Sequence, residues 1–191
     1  AEQDLELTIE FGAGEGSGYP DAAYTDAGAK LGSADEAWAS DIVLCVATPG
    51  ASEIGRARAR TVVVGFLTPL SSGETTRALA EAKVTSFAVE SIPRITRAQS
   101  MDALSSQANV AGYAAALLAG REAGRFFPMM TTAAGTVKPA RVLVLGAGVA
   151  GLQAIATAKR LGAVVTGFDI RRAAWEQISS LGGRPLELDF I

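Results

Sequence analysis

Three glycines, Gly146, Gly148 and Gly151, have the Gly-x-Gly-x-x-Gly spacing that suits a chain to binding the pyrophosphate of a dinucleotide. An apolar strand, residues 141–145, precedes them, and an alanine-rich helix, residues 152–161, follows. The first glycine permits a tight turn, the second lets the backbone approach the pyrophosphate, and the third lets the helix pack close to the strand. The N–H groups at the start of the helix would face the phosphates. A glycine turn in an α/β unit that binds nothing is the alternative interpretation.

A second apolar strand, residues 164–168, ends in Asp169, 23 positions after Gly146. At that place a carboxylate accepts hydrogen bonds from the hydroxyl groups of the adenosine ribose. The same negative charge repels a 2′-phosphate. The unit therefore predicts binding of NAD(H) in preference to NADP(H).

The composition is typical of a globular chain: 191 residues, 49% hydrophobic, with 17 basic and 20 acidic residues and a net charge of −3. This balance gives no support for nucleic-acid binding. No apolar run approaches the roughly 18 residues that span a bilayer, and the acidic start of the chain predicts no signal peptide. The single Cys45 lies in an apolar run, residues 42–47, which predicts a buried core position. One cysteine excludes an intrachain disulfide and favours a cytosolic location.

The absence of histidine excludes several kinds of chemistry. A Ser-His or Cys-His nucleophile pair is impossible, and a zinc site of histidines and cysteines has no ligands, so we expect no metal. No Gly-Lys-Ser/Thr sequence indicates an ATPase. Any proton transfer would depend on Asp, Glu, Lys or Tyr.

The first half of the chain alternates between strand and helix patterns, which predicts a flavodoxin-like or Rossmann-like half domain. Its strands are almost entirely apolar, as in a parallel sheet covered on both faces. The predicted strands are 5–11, 42–47, 61–67 and 84–89, and the predicted helices are 21–30, 53–59 and 72–82. The glycine-rich residues 12–18 resemble a phosphate loop, but Glu15 would repel a phosphate, so we predict a flexible loop there.

The second half begins with a predicted capping box, Thr96 to Gln99, and a long helix of small residues. We place that helix at 107–125, stopped by Pro128 and joining two domains, with a loop at 129–136 after it. Beyond Asp169 the pattern predicts a helix at 173–181, Gly182-Gly183 as its C-cap and a strand at 185–189. The predicted fold class is α/β, with two Rossmann-like domains of doubly wound, mostly parallel sheet. The domains are residues 1–104, lacking a first strand, and 105–191, the first half of an NAD-binding domain that normally has about six strands.

Two stretches carry a more specific resemblance: residues 93–109, PRITRAQSMDALSSQAN, and residues 127–136, FPMMTTAAGT, continuing into the glycine turn and Asp169-Ile170-Arg171. They closely resemble the NAD(H)-binding domain I of the alpha subunit in proton-translocating NAD(P) transhydrogenases. The resemblance implies direct hydride transfer, Si-Re (AB) in its facial specificity, from NADH to NADP⁺ on a separate domain. It also implies a membrane domain that couples the transfer to proton translocation, a homodimer, and a peripheral position at the cytoplasmic face of the bacterial inner membrane.

The resemblance also assigns residues. Arg94, Gln99, Asp102 and Ser105 match the family's cluster at the nicotinamide end, although Gln99 and Asp102 are also explained as a helix cap and a first-turn acid. The positions matched to cofactor binding are Gly146, Gly148, Val149, Ala150, Gly151, Asp169, Ile170 and Arg171. From its charge alone, Arg171 is a surface or phosphate-rim residue.

The chain departs from the family pattern at both ends, so we expect a fragment of a longer protein. Alanine dehydrogenase shares this architecture but needs a histidine among its acid–base groups, and this chain has none. A non-catalytic NAD-binding module is the third interpretation.

Overall fold

The structure is a computed structural model that describes residues 5–188. The chain folds as two compact units, divided between Asp102 and Ala103. The strands of the N-terminal unit are β1 (Thr8–Glu10), β2 (Lys30–Gly32), β3 (Ile42–Cys45), β4 (Val62–Gly65) and β5 (Thr85–Ala88). Its α-helices are α1 (Asp21–Asp26), α2 (Ala34–Trp38), α3 (Ala51–Ile54) and α4 (Gly73–Glu81). Its 3-10 helices are Glu15–Ser17, Val89–Ser91 and Thr96–Met101.

A parallel sheet in the order β3-β4-β5 forms the centre of the N-terminal unit, and β1 and β2 form a separate parallel pair. Val63 of β4 is buried with Ile54 of α3 and Leu79 of α4, so these helices cover one face. The prediction of cover on both faces is wrong for the described residues, because Leu44 of β3 is 74% exposed and Phe87 of β5 is 59% exposed. An apolar strand indicates that its residues favour burial, but not that a covering element lies in the same stretch of chain.

The four predicted strands of this unit each contain an observed strand, β1, β3, β4 or β5, with shorter bounds. The predicted helices correspond to α1, α3 and α4. The predictions missed β2, which follows a helix that ends earlier than expected, and α2, which has only five residues. Elements this short carry too few residues for hydrophobic periodicity to be detected.

The true capping box of this unit is at α2. The Ser33 N–H donates to Glu36 Oε2 at 2.7 Å, and the Ser33 hydroxyl accepts from the Glu36 N–H at 3.3 Å. The predicted box at Thr96 is wrong: Thr96 is already inside a 3-10 helix, which begins after Ile95 without a side-chain cap. The glycine-rich residues 12–18 form a short 3-10 turn.

Cys45 is only half-buried, at the end of β3, rather than a core residue. Desolvation, aided by the charges of Glu53 and Glu90, raises the pKa of its thiol. The thiol is therefore neutral at physiological pH and a weak nucleophile.

The C-terminal unit begins with a long helix and continues through an antiparallel hairpin into a three-stranded parallel sheet. Its elements are α5 (Ala103–Glu122), β6 (Met130–Thr132), β7 (Gly135–Val137), β8 (Arg141–Leu145), α6 (Val149–Arg160), β9 (Val164–Phe168), α7 (Ala173–Ser180) and β10 (Arg184–Pro185). The hairpin β6-β7 occupies the segment predicted as a loop. All six of its strand residues are exposed, so no alternation of buried and exposed positions marked it as sheet.

Helix α5 packs directly on α6 through a glycine. A Cβ atom on Gly112 would lie 2.1 Å from the carbonyl oxygen of Ala150, so only glycine permits this approach. The prediction that the small-residue helix packs closely is confirmed. Pro128 does not stop the helix: α5 ends at Glu122, and Gly124 follows with a φ of +60°.

The sheet has the order β10-β9-β8, and its core contains Ile155 of α6, Val165 of β9 and Ile178 of α7. The predicted C-cap of α7 is confirmed: the Gly182 N–H donates to Ser179 and the Gly183 N–H to Ile178. Gly182 has a φ of +77°, as a Schellman motif requires. The predicted strand 185–189 overlaps β10 only at its start, and Asp189 lies outside the described residues. Within residues 5–188, no helix is both long and apolar enough to cross a membrane.

Candidate nucleotide-binding site

The glycine turn joins β8 to α6 at the carboxyl end of the parallel sheet, where ligands of such sheets bind. Gly146 has a φ of +93°, and its N–H donates to the carbonyl of Phe168 at the end of β9. A Cβ on Gly151 would lie 1.8 Å from the Gly146 carbonyl oxygen, so the first turn of α6 packs against the turn itself. The roles predicted for the first and third glycines, tight turn and close packing, agree with this geometry.

Gly148 is different, because a Cβ there would meet nothing within 4 Å. It is the N-cap of α6, and no side chain caps that end of the helix. Val149 and Ala150 open the helix, with Val149 exposed and Ala150 half-buried. The turn therefore has an open approach to a helix N-terminus that supplies N–H groups and partial positive charge.

Asp169 follows β9 directly and is only 7% exposed. Its Oδ2 accepts a hydrogen bond from the Ala147 N–H at 2.8 Å, which ties the carboxylate to the glycine turn. Trp175 donates its Nε1–H to the Asp169 carbonyl at 3.0 Å, which fixes the backbone there. Turn and carboxylate thus form one rigid arrangement within the C-terminal unit.

Arg171 contacts the same carboxylate from the solvent side. Its Nε donates to Oδ1 of Asp169 at 3.0 Å, its Nη2 to Oδ2 at 3.0 Å, and its backbone N–H to Oδ1 at 2.8 Å. The Arg171 side chain, then the backbone N–H groups of Arg171 and Ala147, hold the pKa of Asp169 far below its usual range. Asp169 is therefore ionised at any pH at which the protein is folded and active.

Sequence reasoning placed Arg171 at the site but missed this two-point contact. The Asp-x-Arg spacing after a strand was the available signal, since both side chains of such a pair can turn to the same side. Ile170 lies between them and is exposed.

The residues assigned to the nicotinamide end are separated between the two units. Arg94, Gln99 and Asp102 line one cavity of about 270 Å³ in the N-terminal unit, together with Ile95 and Thr96. The cavity thus joins a cation, an amide and a carboxylate around a small apolar wall. Ser105 lies in the first turn of α5, in the C-terminal unit. Among the described residues, no three Cys, Asp or Glu side chains cluster so as to hold a metal ion.

Known families match both halves of the chain. The family described as alanine dehydrogenase/PNT, N-terminal domain, matches residues 1–111, and the one described as alanine dehydrogenase/PNT, C-terminal domain, matches residues 115–190. The chain belongs to the alanine dehydrogenase/PNT family. The predicted α/β class with Rossmann-like parallel sheets is confirmed by the solved structures of this family.

Within the alanine dehydrogenase/PNT family, the resemblance to transhydrogenase is confirmed. An NAD(P) transhydrogenase subunit alpha of Rhodospirillum rubrum is 49% identical over 192 residues, covering 97% of this chain and 50% of the relative. The crystal structure of transhydrogenase from Sinorhizobium meliloti has 52% identity and a TM-score of 0.93, covering 96% of this chain and 55% of that one. An L-alanine dehydrogenase structure has 28% identity and a TM-score of 0.81, covering 96% and 52%. The chain spans about half the length of these proteins.

Proposed function

We propose that this chain is the NAD(H)-binding component of a proton-translocating NAD(P) transhydrogenase. The observation that carries the proposal is the open, uncapped glycine turn tied to an ionised Asp169, in a chain 52% identical to a transhydrogenase of known structure. The complete enzyme would transfer a hydride directly from NADH, held on this chain, to NADP⁺ on a separate domain. A membrane domain would couple that transfer to proton movement. The proposal includes a homodimer at the cytoplasmic face of the membrane.

The C-terminal unit fits the adenine dinucleotide half by half. The space at Gly148 and the N-terminus of α6 would receive the pyrophosphate, with Val149 and Ala150 supplying N–H groups. Asp169 would bind the adenosine ribose, with Ile170 and Arg171 beside it. Its fixed negative charge disfavours a 2′-phosphate, which supports NAD(H) over NADP(H).

The N-terminal unit would hold the nicotinamide. Arg94, Gln99 and Asp102 offer donors and acceptors for the carboxamide and its ribose around one cavity, and Ser105 would complete the set. A nicotinamide supplies or accepts the hydride, and no proton moves at the reacting carbons. Catalysis then depends on orientation rather than on an acid or base, which suits a chain without histidine.

A pair of calorimetric titrations with NADH and NADPH tests the binding step. We expect NADH to bind and NADPH to bind far more weakly. A hydride-exchange assay then tests the reaction: exchange should require added NADP(H)-binding domain. Absence of NADH binding to a chain with a folded circular dichroism spectrum would reject the proposal.

Alanine dehydrogenase activity is the second candidate, because the family includes that enzyme and the L-alanine dehydrogenase fold matches this chain. NADH oxidation that depends on pyruvate and ammonia would favour it. NADH binding without either reaction, even with partner domains added, would favour a non-catalytic NAD-binding module.

The open space at Gly148 leads to a prediction for Gly148→Ala. The added methyl group meets no protein atom, so the thermal stability of the free chain stays unchanged. The methyl group would hold the pyrophosphate away from the N–H groups of α6, and loss of one hydrogen bond to a charged group weakens NADH binding by about tenfold. Differential scanning calorimetry and NADH titration measure the two effects. An equal affinity for NADH would remove Gly148 from the site.

Arg94→Ala tests the nicotinamide end. Because Arg94 would position the ring rather than anchor the nucleotide, we expect hydride transfer to slow by about tenfold while NADH affinity changes little. Single-turnover transfer in the complex, at saturating NADH, gives the rate. Arg97→Ala is the control, since Arg97 is an exposed neighbour that does not line the cavity. Weakened binding with an unchanged rate at saturation would assign Arg94 to anchoring instead, and we expect the same pattern of results for Gln99→Ala.

A further inference from the structure

The carboxylate of Asp169 is saturated with hydrogen bonds. Four donors reach it: the N–H groups of Ala147 and Arg171, and the Nε and Nη2 of the Arg171 side chain. Two of them bond to each oxygen. A carboxylate offers about four lone-pair sites, so none remains for a further donor.

The ribose proposed to bind Asp169 brings two hydroxyl donors of its own. The two backbone N–H groups belong to the glycine turn and to the chain after β9, and they cannot leave without unfolding the site. The side chain of Arg171 is different, because it is 62% exposed and reaches water by rotation. Its two donors approach both oxygens side by side, which is how a vicinal diol approaches a carboxylate.

We propose that Arg171 determines the affinity and specificity of this site by competing with the ribose for Asp169. The inference rests on the NAD(H) binding proposed above. In the free protein the guanidinium occupies the ribose-binding side of the carboxylate and also donates to the Ala147 carbonyl at 3.3 Å, which places it across the gap between Asp169 and the glycine turn. Binding of NAD(H) moves it into solvent.

The displaced guanidinium has a second consequence. It remains within a side-chain length of the adenosine ribose, and an arginine is well suited to bind a phosphate there. Arg171 therefore lowers the affinity for NADH and at the same time reduces the rejection of NADPH. Its neighbour Arg172 does not take part, because it stacks on the ring of Trp175 at 5.8 Å.

The test compares Arg171→Ala with Arg172→Ala in calorimetric titrations with NADH and NADPH at one ionic strength. Each variant removes one positive charge from the same segment, so their difference cancels the long-range attraction of the nucleotide phosphates. An exposed ion pair is weak, so we expect Arg171→Ala to bind NADH about two- to fivefold more tightly than Arg172→Ala. NADPH should bind more weakly to Arg171→Ala than to Arg172→Ala.

An affinity for NADH that is equal or lower in Arg171→Ala would overturn the inference, because it would mean that the guanidinium supports the carboxylate. The proposed function would stand in that case, provided that the wild-type chain binds NADH. A folded wild-type chain that binds no NADH would overturn both.

A second measurement covers the case in which Arg171→Ala does not fold. The Nε–H resonance of Arg171 in the wild-type chain, assigned by comparison with Arg171→Lys, should report a hydrogen-bonded guanidinium without ligand. We expect NADH to shift it to the position of a solvated arginine. A resonance that keeps its hydrogen-bonded position in the NADH complex would reject displacement.

Discussion

Gly151→Ala is expected to destabilise the C-terminal unit by about 3 kcal/mol, the upper part of the range for added atoms in a packed interior. The new Cβ would lie 1.8 Å from the Gly146 carbonyl oxygen and 2.8 Å from its carbon. Both are backbone atoms, so no side chain can rotate away, and α6 must move from the turn. Because the turn positions the N-terminus of α6, NADH binding should be lost with the stability.

Denaturant unfolding followed by tryptophan fluorescence measures this effect, since Trp38 belongs to the N-terminal unit and Trp175 to the C-terminal unit. Gly148→Ala is the matched control for stability, because it adds the same methyl group in the same turn where space is open. A Gly151→Ala chain that unfolds at the wild-type denaturant concentration would mean that the turn and α6 are not in the contact described.

The glycine turn shows what the sequence can predict about this fold. Gly146 and Gly151 are required by backbone geometry, a positive φ and a close approach, and the residue type states that requirement directly. Apolar runs located the longer strands for a similar reason, because burial selects them. The hairpin β6-β7 has no buried residue, so only its pairing defines it, and pairing is not written in residue types.

The two capping-box sequences show a different limit. Ser33 to Glu36 and Thr96 to Gln99 both fit the pattern, yet only the first forms a box. The pattern requires that the chain enter the helix in an extended conformation at the serine or threonine. Tertiary structure decides that at Thr96, where the 3-10 helix begins one residue too early.

The candidate site divides along the same line. Asp169 was predictable because its position after the second strand follows from the unit itself. The saturation of its carboxylate was not, since it depends on the rotamer of Arg171 and on the direction of the Ala147 N–H. The sequence spacing of Arg94, Gln99 and Asp102 did not predict that one cavity of the N-terminal unit would join them. For these residues the resemblance to transhydrogenases, rather than the spacing, pointed to the site.

Asp169→Asn is expected to weaken NADH binding by about 100-fold, because two ribose hydroxyls would lose a charged acceptor. Discrimination against NADPH should relax at the same time, since the negative charge that repels a 2′-phosphate is gone and Arg171 is released from its ion pair. The amide also presents an NH₂ group to the donors that now surround the carboxylate, so one of them is left unpaired.

Calorimetric titration with both nucleotides measures the Asp169→Asn effect, and Glu176→Gln is the matched control because it removes one negative charge from an exposed position on α7. That control should bind NADH and NADPH as the wild type does. If instead Asp169→Asn leaves both affinities unchanged, Asp169 does not contact the ribose. Its bonds to Ala147 and Arg171 would then serve only to hold the glycine turn against the end of β9. Loss of NADH binding with NADPH binding retained or gained would instead establish that the charge of this one carboxylate selects the nucleotide.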